Sequence, residues 1–142
     1  MKKLALMMVA AMITSLTFAQ KVSDKDVPTV VKSSFQKQYP HAKEIKWEKE
    51  NGNYEAEFEI KETDYSVLMN SLGNILETEI EISIDALPAN VKEYISKNYA
   101  GQKIKEAAKI TDAKDEITYE AEIKGMDLLF DSSGKFIKEM KD

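Results

Sequence analysis

Apolar residues recur four apart in two stretches of this chain and two apart in several others, and the stretches follow the same order twice. In VPTVVKSSFQKQYP, residues 27–40, Val31, Phe35 and Tyr39 stand at i, i+4 and i+8, and in LPANVKEYISKNYA, residues 87–100, Val91, Ile95 and Tyr99 do the same. This spacing predicts a helix of about three turns in each stretch, with one apolar face. Val27 and Val30 widen that face in the first copy, Leu87 and Tyr94 in the second. Pro28 and Pro88 fall in the first turn, where a missing N–H costs little, and Asp26 and Asp85 lie just upstream as acidic start signals.

Downstream the period changes to two. Tyr54, Ala56, Phe58 and Ile60 alternate with Glu55, Glu57 and Glu59, and Tyr119, Ala121 and Ile123 alternate with Glu120 and Glu122. Both are predicted to be half-buried strands. Asn51, Gly52 and Asn53 precede the first, residues 112–115 precede the second, and residues 61–64 and Lys124-Gly125 follow as turns. VLMNSLGNIL at 67–76 then matches LLFDSSGKFI at 128–137, each a strand, a glycine turn at Gly73 or Gly134, and another strand. Corresponding positions lie 60 residues apart in the helices, 65 in the YEAE strands and 61 at the glycines, so length varies only in the loops.

Each repeat therefore reads as a helix followed by about four antiparallel strands, with 44–49 and 104–110 as the first strands. The expected class is α+β: two α-β-β-β-β repeats, about 22–84 and 85–142, joined into one antiparallel sheet of about eight strands with both helices on one face. Joining buries edges that a unit of about sixty residues would leave open. Two separate domains are the alternative, but no Pro, Gly or Ser linker lies between Ile84 and Leu87.

The opening MKKLALMMVAAMITSLTFAQ has two lysines, an apolar run too short to span a membrane and then Thr17-Phe18-Ala19. It reads as an export signal over residues 1–19, cleaved near Ala19, with a retained membrane anchor as the alternative; cleavage leaves a single tandem-repeat domain at 20–142 in the periplasm or outside the cell. The full chain has 142 residues and a net charge of -5; loss of Lys2 and Lys3 takes this to -7. Every cation is lysine, and there is no cysteine. Disulfides and thiolate metal sites are thereby excluded, nucleic acid is a poor match, and a protein or peptide with a basic patch is a better one.

A helix carrying Leu87-Pro88, a YEAE strand and a hydrophobic-Asp-x-x-Gly turn at 130–134, duplicated behind an export signal, resemble the PepSY-like domains of the beta-lactamase-inhibitor-like superfamily. The resemblance runs from about 22 to 142. It implies the tandem α-β-β-β-β architecture and an exported, non-catalytic binding protein, with inhibition of an enzyme as one form that binding takes. The first copy departs from the turn pattern, with Asn70 where the second has Asp131.

For chemistry the chain has little beyond acids. Its one histidine, His41, sits in a Tyr-Pro-His loop, and no nucleophile elbow is present. If Tyr54 and Tyr119 face the helices, Glu55, Glu57, Glu59, Glu120 and Glu122 face away. Reading Leu76, Ile80, Ile82 and Ile84 as inward adds Ile75, Glu77, Glu79 and Glu81 to the outer face, and the repeat then adds Phe136, Lys138 and Met140. One reading is an acidic platform with Phe136 and Met140 as apolar anchors for a basic partner. The other is a solvated face with Glu and Lys paired across strands. A slip of one residue after Gly134 would turn Phe136 inward. Trp47, in phase with Ile45, is expected in the core. Asp112, Asp115, Asp127 and Asp131 lie in or near loops and form a candidate calcium set in a cation-responsive protein, although no EF-hand spacing is present. No other cofactor is expected.

Overall fold

The computed structural model describes residues 19–141, so the export signal expected at 1–19 lies, except for Ala19, outside the described residues. Strand β1 is Gln20–Val22, and after a short 3-10 turn at Asp24–Asp26 comes helix α1, Thr29–Gln38. Strands β2 Lys43–Glu50, β3 Asn53–Ile60, β4 Thr63–Met69 and β5 Ile75–Ile82 follow. The order then repeats with a 3-10 turn at Ile84–Ala86, helix α2 Ala89–Asn98, and strands β6 Glu106–Asp112, β7 Ile117–Ile123, β8 Met126–Asp131 and β9 Phe136–Lys141. The fold is α+β, and the strands form an open antiparallel sheet hydrogen-bonded in chain order from β1 to β9. The ninth strand is β1, whose three residues are too few for a periodicity to register. The chain divides into two compact units between Thr78 and Glu79.

In the first unit α1 starts at Pro28, whose φ of -55° suits a helix entry, and ends where the Tyr39 N–H bonds the Phe35 carbonyl. Its buried face is Val31 and Phe35, with Val27 just ahead, while Val30 is 51% exposed and does not widen it. Cross-strand partners Trp47, Ala56 and Val67 lie beneath. The Phe35 ring meets Trp47 edge-on at 5.2 Å and Phe58 at 4.9 Å, and Phe58 stacks on Tyr65 at 5.4 Å. Each such pair adds about 0.5–1.5 kcal/mol beyond the area it buries. Trp47 is a core residue as expected, but Ile45, read in phase with it, is 40% exposed within the register shift between Lys43 and Lys46.

The second unit repeats this construction. Val91 and Ile95 of α2, with Leu87 before it, cover Ala107, Ala121, Ile123, Leu128 and Phe130. Tyr94 stacks on Phe136 at 4.8 Å and meets Phe130 edge-on at 5.6 Å.

Each glycine turn docks on the first turns of its own helix. The Ser34 hydroxyl donates to the Gly73 carbonyl at 2.7 Å, and the Asn90 amide donates to the Ser133 carbonyl at 2.8 Å. Gly73 and Gly134 have φ of +83° and +81°, and a β-carbon at either would press on its helix, 3.0 Å from the Val30 carbonyl oxygen or 2.2 Å from Asn90 Oδ1. These two glycines are required by conformation and by contact alike.

Candidate functional site

The alternation of strands β2 to β4 and β6 to β9 leaves each unit a face turned away from its helix. In the first unit the pairing sets Lys21, Glu48, Glu55 and Leu68 in one row across β1 to β4. Lys46, Glu57 and Ser66 form the next, and Lys43, Glu59 and Asp64 a third. In the second unit Ala108, Glu120, Leu129 and Lys138 form one row, and Glu106, Glu122, Asp127 and Met140 the next. Glu55 and Glu120 therefore occupy the same place, each opposite a leucine. The neighbouring row changes chemistry between the units: Lys46-Glu57-Ser66 in the first becomes Glu106-Glu122-Asp127 in the second.

These faces are not simply solvated. Glu55 is only 4% exposed, Glu120 6% and Asp127 on β8 3%; Glu79 on β5, outside the rows above, is 3% exposed as well. Glu57, Glu59, Glu77, Glu122 and Met140 are half-buried. The expected acidic platform is therefore corrected: Glu55, Glu79 and Glu120 are buried side chains, and the half-buried acids beside them form its accessible part.

Burial pushes the Glu55 carboxyl up to about 7; Glu57 and Glu48 push in the same direction, and a 2.7 Å bond from the Ser66 hydroxyl opposes them. Glu57 is raised as well, first by burial and then by Glu48, against Lys46 and Lys21. In the second unit Lys105 lies 3.7 Å from Glu122, a half-exposed ion pair of little energetic weight. Ser66 is the residue that sequence reading missed. The signal for it was the inward set Tyr65, Val67 and Met69 on β4, which places Ser66 and Leu68 on the other face.

Phe136 is not on that face. Its partner is Phe130 and its ring stacks on Tyr94, so it belongs to the core under α2. Leu129 pairs with Lys138 while Phe130 pairs with Phe136, which leaves Ile137 as an extra residue, and the bulge reverses the alternation. Met140, beyond the bulge, does lie on the helix-free face opposite Asp127. Ile75, read as outward, likewise packs against the first core.

The four candidate calcium ligands do not converge. Asp112 Oδ1 accepts from the N–H groups of Lys114 and Glu116, and Asp131 Oδ1 accepts from those of Ser133 and Lys135 and from the Ser133 hydroxyl. Both close turns by side-chain mimicry of backbone. Asp115 is exposed in the turn with Asp112, whereas Asp127 lies toward the far end of β8 from Asp131. Among the described residues no group of three or more histidine, cysteine or carboxylate side chains is placed to hold a metal ion.

The model of the family described as "Putative beta-lactamase-inhibitor-like, PepSY-like" matches residues 16–77 and again 67–138. No curated protein matches. Among solved structures, a Bacteroides eggerthii protein described as "putative periplasmic" superposes with a TM-score of 0.72 at 17% identity, over 81% of this chain and 88% of that one. A Bacteroides uniformis protein from a domain family of unknown function gives 0.70 at 19%, over 80% and 88%. A protein from Bacteroides fragilis described as like the beta-lactamase inhibitor protein gives 0.61 at 24%, over 80% and 85%. At these identities the likeness is one of fold.

Proposed function

The chain belongs to the PepSY-like, beta-lactamase-inhibitor-like family, and on that footing we propose that it is an exported, non-catalytic binding protein that holds a basic protein or peptide against its helix-free faces. The observation that carries this reading is the excess of acid in the rows: Glu48 lies between Lys21 and Glu55, Glu59 between Lys43 and Asp64, and Glu122 between two further carboxylates with Lys105 at its side, so each row holds more carboxylates than lysines. Strands that face only solvent gain from opposite charges across the ladder, and like charges directly opposite cost stability. A cationic partner would offset that cost on binding and so gain affinity from it. The half-buried Met140 beside Asp127 adds an apolar contact to the acidic row.

Export is read from the opening residues and is in keeping with the periplasmic description of the Bacteroides eggerthii protein. A binding role without catalysis is read from a chain that has no cysteine and whose single histidine, His41, is exposed in a loop. The inhibitor-like description of the family supports an enzyme with a basic surface as the class of target.

The test uses residues 20–142 as bait in an envelope extract, beside a Glu57→Lys, Glu122→Lys double variant of matched melting temperature. A partner retained by the parent, released by salt and lost by the variant supports the proposal. A partner held equally by both chains would place binding elsewhere and sink it.

A further inference from the structure

Strand β9 is the last in the hydrogen-bonded order, so its outer edge has no neighbouring strand among the described residues. It contains no proline, and its bulge lies at its start, leaving residues 138–141 as a regular run. The opposite end of the sheet differs: β1 is three residues long, and β2 is broken near Glu44, which has a φ of 53°. Short and kinked edges of that kind resist further pairing, and β9 lacks both protections.

The charges along β9 select one way of pairing. Two copies related by a twofold axis normal to the sheet keep corresponding faces together, so each residue meets one of its own parity. Centred on Lys138 the pairing sets lysine against lysine, and centred on Glu139 it sets glutamate against glutamate. Centred on Met140 it sets Met140 against Met140 and Glu139 against Lys141 twice, with no like charges opposed. The Tyr99 hydroxyl donates to the Glu139 carboxylate, which holds that group on the helix side of the edge. We propose that β9 pairs antiparallel with β9 of a second copy of this chain about Met140, joining two sheets edge to edge.

Sedimentation of residues 20–142 over a range of concentrations tests the pairing. Lys141→Glu opposes two glutamates at each end of the junction and is expected to weaken dimerisation about tenfold, whereas the swap Glu139→Lys with Lys141→Glu restores it. A second readout does not depend on affinity. The chain has no cysteine, so Met140→Cys introduces one thiol per copy, and residues directly opposite across strands bring β-carbons to about 4.5–5.5 Å, near disulfide reach. That variant is expected to oxidise to a covalent dimer well ahead of Ile137→Cys, which is exposed but out of register. A parent that stays monomeric to about 1 mM without preferential cross-linking at position 140 would overturn the proposal. So would a charge swap as weak as the single variant.

Discussion

The Ser66 hydroxyl donates to Glu55 Oε1 across 2.7 Å, and both residues are buried on the face of the first unit that turns away from α1. The bond favours the ionised carboxylate and burial disfavours it, and burial prevails, with the carboxyl at about 7 against an ordinary 4.5. The folded protein therefore keeps a proton that the unfolded chain releases. Stability falls as pH rises from about 4.5 to about 7 and levels off above, by roughly 3 kcal/mol from this group. Glu55→Gln retains an acceptor for Ser66 without the ionisation. In urea titrations the variant should match the parent at pH 4 and exceed it by about 2–3 kcal/mol at pH 8. Ser66→Ala should move the transition to higher pH and cost about 1–2 kcal/mol. An offset between parent and Glu55→Gln that is the same at both pH values would contradict this account.

Phe136 and Ile137 are adjacent and similar in hydrophobicity, yet only Phe136 stacks in the core; Ile137 is 53% exposed at the bulge. Phe136→Ala should cost about 2–4 kcal/mol, and Ile137→Ala less than about 0.5 kcal/mol. Denaturation midpoints at unchanged slope would decide it, and equal losses would place the bulge elsewhere.

At Gly134 a β-carbon would collide with the Asn90 side chain, whereas at Gly73 it would meet the Val30 backbone. Both sites carry positive φ, so Gly134→Ala and Gly73→Ala should each destabilise, by about 1–2 kcal/mol from conformation alone. Adding Asn90→Ala should recover part of the Gly134→Ala loss, because a side chain can be removed. No comparable rescue exists at Gly73. Thermal melts of the single and double variants test the difference.

Asn70 Oδ1 accepts from the N–H groups of Leu72 and Asn74 much as Asp131 Oδ1 accepts from those of Ser133 and Lys135. The two turns thus use the same amide-like geometry, and the missing aspartate of the first copy is no departure in structure. Asp131→Asn should leave the melting temperature near the parent value at neutral pH, while Asp131→Ala lowers it. The Asp131 carboxyl sits below its ordinary value, mainly through the Ser133 hydroxyl and the backbone N–H of Lys135. Its contribution is therefore present above the ordinary value near 3.8 and is lost as pH falls through the lowered one. If calcium instead raised the melting temperature of the parent and not of Asp131→Asn, the turn would have a further role.

Periodicity by itself determined the duplicated order of elements, the core-facing residues Val31, Phe35, Trp47, Phe58, Val91 and Ile95, and the turns at Gly73 and Gly134. These are legible because side-chain periods of 3.6 and 2, proline at a helix start and glycine at positive φ act over a few neighbouring residues. Three features were settled only by tertiary structure. One extra residue at Ile137 reverses which side of β9 faces α2, and nothing in FIKEMK marks where a bulge falls. The burial of Glu55 and Glu120 depends on how strands pack around them, since an alternating glutamate reads the same whether solvated or enclosed. Ser66 meets Glu55 across eleven residues of chain because β3 and β4 pair in one register, and that register arises from the folded sheet and from no local signal.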